Sequence, residues 1–89
     1  MTVALTFITR ADCHLCEQAR DDVDAVLAER SRSGAQDVSL RVVDIDSDEQ
    51  LLAKYDWDVP VVLVEGRQHS FHRVDRQRLA AAIDRAASR

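Results

Sequence analysis

The stretch Val3-Ala4-Leu5-Thr6-Phe7-Ile8-Thr9-Arg10-Ala11-Asp12-Cys13-His14-Leu15-Cys16 decides how the chain folds. Val3 to Thr9 alternates in polarity and is rich in residues that suit a pleated, half-buried surface, so it predicts a strand ending at the polar turn Arg10-Ala11-Asp12. Asp12 is then placed to cap a helix. From Cys13 to about Arg30 the apolar positions Cys16, Ala19, Val23, Val26 and Leu27 recur at steps of three and four, with Glu17, Arg20, Asp21, Asp24 and Glu29 on the other sides. That is a surface helix with one buried stripe, and Cys13 stands where the strand hands over to it.

After the helix, Ser31-Arg32-Ser33-Gly34 is turn chemistry, and a second strand is predicted over Val38 to Asp46. Ser47 followed by Gln50 has capping-box spacing ahead of Leu51 and Leu52, which predicts a short helix reaching about Tyr55. Trp57-Asp58-Val59 leads into the only proline, Pro60. Val61-Val62-Leu63-Val64 is a continuous apolar run that suits a central strand covered on both faces, with Pro60 at its entry. Glu65-Gly66-Arg67 reverses the chain into a more polar edge strand over Gln68 to Val74, and Asp75 caps a last helix with Leu79, Ala82, Ile83 and Ala86 on one face. The expected class is α/β in the order βαβαββα, with a four-stranded mixed sheet and helices on both faces. No repeat or break in composition divides it, so residues 1–89 are read as a single domain.

Composition narrows the function. A chain of 89 residues buries roughly 60 to 65% of its unfolded surface, and 46% hydrophobic with 31% charged residues is a globular mixture. A formal charge of -4 and a pI near 5.2 repel phosphate backbones and anionic lipid, so neither nucleic acid nor a membrane is an expected partner. The opening apolar run has no basic residue ahead of it and is too short to span a bilayer, which leaves a cytoplasmic address by default. A monomer is expected.

Cys13 and Cys16 are the only cysteines, and a bridge closing so short a loop removes little entropy from the unfolded chain. Such a pair suits chemistry better than stapling. Helical residues three apart have Cβ atoms about 5–6 Å from each other, whereas a disulfide needs about 3.5–4.5 Å, so the first turn must tighten and the bridge should reopen readily. Cys13, at the helix mouth among unpaired N–H groups, is the expected nucleophile, its thiol more acidic than usual. Cys16, on the apolar stripe, is the expected resolving thiol. Because nucleophilicity falls as a thiol becomes more acidic, the larger consequence is a stabilised reduced state rather than faster attack. Asp12 would oppose the acidification and Arg10 favour it, while His14, whose charged form a helix N-terminus disfavours, is read as a neutral hydrogen-bonding group.

The chain resembles the glutaredoxin-like members of the thioredoxin-fold superfamily over nearly its whole length. Arg10-Ala11-Asp12-Cys13-His14-Leu15-Cys16 after a strand is similar to the glutaredoxin active-site loop, with Cys-His-Leu-Cys in place of Cys-Pro-Tyr-Cys. Val59-Pro60-Val61-Val62-Leu63-Val64-Glu65-Gly66 is similar to the family's Thr-Val-Pro loop, with Asp58 in place of Thr. The resemblance implies a thioredoxin-like fold, a cis proline peptide facing the cysteines, and a Val59 backbone that pairs with bound substrate. It implies a thiol–disulfide oxidoreductase acting on protein or low-molecular-weight disulfides, with Cys13 and Cys16 catalytic and Val59 and Pro60 binding substrate; Arg10 and His14, by their positions beside the dithiol, are the further substrate-binding candidates. No resident cofactor or metal is required, and glutathione is a candidate reductant or substrate. Where glutaredoxins follow with Gly-Gly and acidic residues that grip glutathione, however, this chain has Ser70-Phe71-His72-Arg73.

Blander readings stand beside these. A redox-inert thioredoxin-fold module could bind a partner through the Val59-Pro60 edge. Zinc would need more ligands than the cysteines, and His69 and His72, three apart in a strand, point to opposite faces. A bridging [2Fe–2S] cluster normally recruits glutathione as a further ligand. Trp57 and Tyr55 are read as packing residues before aromatic platforms, and Arg10 equally as a surface charge or a carboxylate-steering group.

Overall fold

Strand β1 (Val3–Thr9) turns Val3, Leu5 and Phe7 to one face and Ile8 to the other, all four at most 1% exposed, and the rest of the molecule is built on those two faces. The computed structural model describes residues 2–35 and 37–88. Helix α1 (His14–Arg32), strand β2 (Val38–Asp44), a 3₁₀ turn (Ile45–Ser47), helix α2 (Glu49–Tyr55), strands β3 (Val61–Val64) and β4 (Arg67–Phe71), and helix α3 (Arg76–Ala87) follow in order.

The sheet order is β2-β1-β3-β4, with β1 parallel to β2 and antiparallel to β3, and β3 antiparallel to β4. Parallel pairing of β1 and β2 requires a crossover, which α1 supplies. Ala19, Val23 and Val26 of α1 and Leu79, Ile83 and Ala86 of α3 pack with Val3, Leu5, Phe7 and Val62 on one face. Leu51, Leu52 and Tyr55 of α2 join Ile45, Ile8 and Val61 on the other. The expected α/β architecture, with helices on both faces of a four-stranded mixed sheet, is the observed one, and β3 is interior as its apolar run implied.

Boundaries differ where polar side chains decided them. α1 runs on to Arg32, with Ser33 as its C-cap and Gly34 at φ 95°, so the expected turn is partly the last helical turn. β2 stops at Asp44, whose carboxylate accepts the Asp46 N–H and starts the 3₁₀ turn. Ser47 does not cap α2: its hydroxyl donates to the Asp44 carbonyl at 2.6 Å, and the extended Asp48 accepts the N–H groups of Gln50 and Leu51 instead. Glu65 and Gly66, at φ 52° and 79°, make the two-residue hairpin into β4. β4 ends at Phe71 rather than Val74 and carries a bulge that leaves His69 unpaired between Ser70 and Gln68. Asp75 caps α3 through the Arg78 N–H, as anticipated. Among the described residues no helix is long and apolar enough to cross a membrane.

Candidate functional site

Thr9 ends β1, and four residues later Cys13 opens α1 as its N-cap. Cys13 is extended, at φ -113° and ψ 107°; its Sγ accepts the Cys16 N–H at 3.2 Å and its carbonyl accepts the Glu17 N–H at 3.2 Å. Capping was expected of Asp12, but Asp12 sits at φ 56°, in the left-handed region, whereas an N-cap needs extended backbone to aim its side chain at the first turn. The sulfur therefore takes the place of a capping oxygen. Cys13 is also outside the helix proper, so the two cysteines are not a helical i, i+3 pair. They are joined by a disulfide with Cα atoms 5.2 Å apart, Cys13 half-buried and Cys16 only 3% exposed.

Beside the pair lies a cavity of about 310 Å³, between the first turns of α1, the end of β1, and Val42 on β2. Its charged lining is Arg10, Asp12, Glu17, Arg20 and Asp21. Both arginines are engaged: Arg10 pairs with Asp56 and Asp46, and Arg20 with Asp24 at 2.9 Å. Hydrogen bonding to the Asp56 carboxylate raises the Arg10 pKa above its already high ordinary value. Asp12 and Asp21 have no ion-pair partner among the described residues, so the mouth of the cavity is electronegative. A larger cleft of about 450 Å³ between α1 and α3 holds no thiol, and its Arg30 and Arg76 are already paired with Asp84 and Asp22.

The other anticipated residues are placed unevenly. His14 is 81% exposed and turned along the helix, with Nδ1 3.7 Å from the Glu17 carboxylate and Nε2 3.4 Å from the Gln18 amide nitrogen. Ile8 pairs with Val61, which puts Pro60 and Val59 at the same end of the sheet as the cysteine loop, and the Val59–Pro60 peptide is cis. Neither lines the cavity. Arg10 joins the two loops, donating to the Asp56 carboxylate and, at 3.4 Å, to its carbonyl. Among the described residues no group of three His, Cys, Asp or Glu is arranged to hold a metal ion.

The family described as Glutaredoxin-like domain (DUF836) matches residues 4–84. The chain belongs to that glutaredoxin-like family. It is 35% identical over 82 residues to an uncharacterized protein of Mycobacterium tuberculosis, covering 89% of this chain and 80% of the relative. A solved structure of the protein XcR50 from X. campestris is 38% identical, with a TM-score of 0.63 over 91% of this chain and 96% of that one. Chloroplastic thioredoxin z is similar in fold alone: 10% identical, with a TM-score of 0.74 over 99% of this chain and 80% of its own.

Three features of this glutaredoxin-like site escaped the sequence reading. Asp56 was not singled out, because its partner lies 46 positions away. Trp57, expected in or against the core, is 88% exposed. Tyr55 fills the core at 4% exposure, and with Asp56 still helical at φ -49° and ψ -41°, a residue two further on faces away from it. His72 has φ 64° and reaches back to the loop before Pro60, with Nε2 2.9 Å from the Trp57 carbonyl. A non-glycine residue where the family has its Gly-Gly region was the one available signal.

Proposed function

We propose that the chain is a small thiol–disulfide oxidoreductase. The reading is carried by the asymmetry of one pair: a half-buried Cys13 capping a 19-residue helix, bridged to a Cys16 that solvent barely reaches. In the reduced protein the Cys13 thiolate attacks one sulfur of a substrate disulfide, forming a mixed disulfide and expelling the other sulfur as a thiolate that takes up a proton. Cys16, as its thiolate, then attacks the Cys13 sulfur, so the mixed bond breaks, the second substrate thiolate leaves and the Cys13–Cys16 disulfide forms. Two electrons pass to the substrate, and an external thiol reductant restores the pair.

Protein or low-molecular-weight disulfides are the proposed substrates, and glutathione fits the site poorly. Ser70-Phe71-His72-Arg73 lacks the glycine pair, the His72 N–H is held by the Pro60 carbonyl, and the cavity mouth repels an anionic tripeptide. The second reading, a redox-inert module binding a partner at the Val59–Pro60 edge, draws on the exposed Trp57 and Phe71 near that edge, at 88% and 54%.

Trapping separates the two. Cys16→Ser should accumulate a covalent adduct with a disulfide substrate, seen as a mass increase on Cys13, and Cys13→Ser should not. An adduct formed only through Cys16 would reverse the assigned roles. Full partner binding by Cys13→Ser, together with a wild-type Cys13–Cys16 pair that cannot be reversibly reduced, would favour the inert module.

A further inference from the structure

The carbonyls around Val59 share a single partner. The His72 N–H donates to the Pro60 carbonyl at 2.8 Å and, more weakly, to the Asp58 carbonyl at 3.3 Å. Its ring nitrogen Nε2 lies 2.9 Å from the Trp57 carbonyl. A carbonyl only accepts, so Nε2 carries the hydrogen. One residue thus binds the backbone on both sides of Val59, while the Val59 N–H and C=O make no backbone hydrogen bond among the described residues, and Val59 is only half-buried.

The local backbone explains how His72 reaches all three. β4 ends at Phe71, and at φ 64° His72 turns its N–H inward across the end of β3, while the Arg73 N–H returns to the Phe71 carbonyl at 2.7 Å. Histidine adopts this left-handed conformation more often than most side chains. The Phe71 ring meets the imidazole edge-on, with centroids 5.0 Å apart, which restricts its rotation.

We propose that His72 is a positioning residue that holds the Trp57–Pro60 loop so that the free Val59 N–H and C=O pair with the extended backbone of a peptide disulfide. The inference rests on the oxidoreductase reading for its catalytic readout and commits the site to substrates with peptide groups beside the disulfide. A free N–H and C=O on one residue can take one rung of a strand-like pairing. The imidazole bond and the bifurcated N–H keep the neighbouring carbonyls from competing for it.

The test compares a disulfide-linked extended peptide with bis(2-hydroxyethyl) disulfide, which has no peptide groups. His72→Ala should raise KM for the peptide about tenfold, the worth of roughly one well-placed hydrogen bond, and leave kcat and the small disulfide within about twofold. His72→Gln, which retains a side-chain N–H donor, should recover most of the loss. Equal loss on both disulfides, or an unchanged peptide KM, would overturn the proposal. Should His72→Ala fail to fold, His72→Gly keeps the backbone N–H, suits the positive φ and lacks only the imidazole, and the same KM rise is expected. Binding is read separately in the Cys13→Ser protein: the peptide should shift the Val59 amide resonance, and with His72→Gly in that background about tenfold more peptide should be needed for the same shift. Inactivity of the wild type toward both disulfides with the Val59 shift intact would count against the oxidoreductase reading alone; no shift in the Cys13→Ser parent, or a titration unchanged by His72→Gly, would overturn the role of His72.

Discussion

Arg10 donates to both the carboxylate and the backbone carbonyl of Asp56, binding the cysteine loop to the end of α2. With Asp46 3.6 Å away as a second partner, its charge is matched within the protein even though it lines the cavity beside the dithiol. Beside the two readings the sequence allowed for Arg10, surface charge or steering group, the geometry adds a third role: it ties two loops together.

That arrangement fixes the sign of two substitutions. If Arg10 served to stabilise the Cys13 thiolate, Arg10→Ala would slow alkylation by iodoacetamide, and Asp56→Ala, by freeing the guanidinium, would speed it. We expect both to remain within about twofold of the wild-type rate, because a matched charge near the surface acts weakly at a distance. Their stability losses should instead be non-additive, with the double variant about as stable as either single one in urea denaturation. Additive losses would contradict the tie.

The electronegative cavity mouth makes a separate prediction. In water a pair of unit charges ~8 Å apart is worth about 0.5 kcal/mol, so the four pairs between a doubly anionic disulfide and Asp12 and Asp21 should cost roughly 30-fold in kcat/KM at low salt relative to a neutral disulfide of similar size. Cystamine, a dication, should gain by comparison, and ~0.5 M salt should compress the series by screening. Asp12→Asn with Asp21→Asn should narrow it similarly at low salt. Equal rates for glutathione disulfide and cystamine in low salt would remove the charge argument.

What could be read beforehand followed from short-range pattern. The strand-turn-helix around Cys13, the interior position of Val61–Val64 and the cap at Asp75 each depend on residues within a few positions, and each is where the sequence put it. The losses are of two kinds. Asp12 and Ser47 were reasonable caps by residue type, but whether a side chain caps depends on its backbone dihedrals, and the extended residue in each case is the next one along, Cys13 and Asp48. Asp56 and His72 act on residues brought near by the sheet, 46 and 15 positions away, and no periodicity encodes such pairs. Trp57 misled because size and apolarity argue for burial, yet Tyr55 already fills the inner position.

His69, the extra residue in the β4 bulge, gives the last prediction. Burial pushes its imidazole below the ordinary 6.5, and the nearby charges of Arg78 and Arg85 push the same way, with Asp75 opposing them. A base whose pKa is lower folded than unfolded takes up its proton first in the unfolded chain, so the unfolded state binds more protons below the ordinary value and stability falls as the pH drops. The loss begins near pH 6.5 and is complete once the folded-state imidazole has also titrated. Asp37, held below its ordinary 3.8 chiefly by its hydrogen bonds to Arg30, contributes a loss of the same direction only from about that pH downward. The two windows are therefore separable. Urea midpoints measured from about pH 7 to 5 should decline for the wild type and decline less for His69→Gln, which cannot titrate there. Parallel declines in the two proteins would show that the acid sensitivity in that range arises elsewhere.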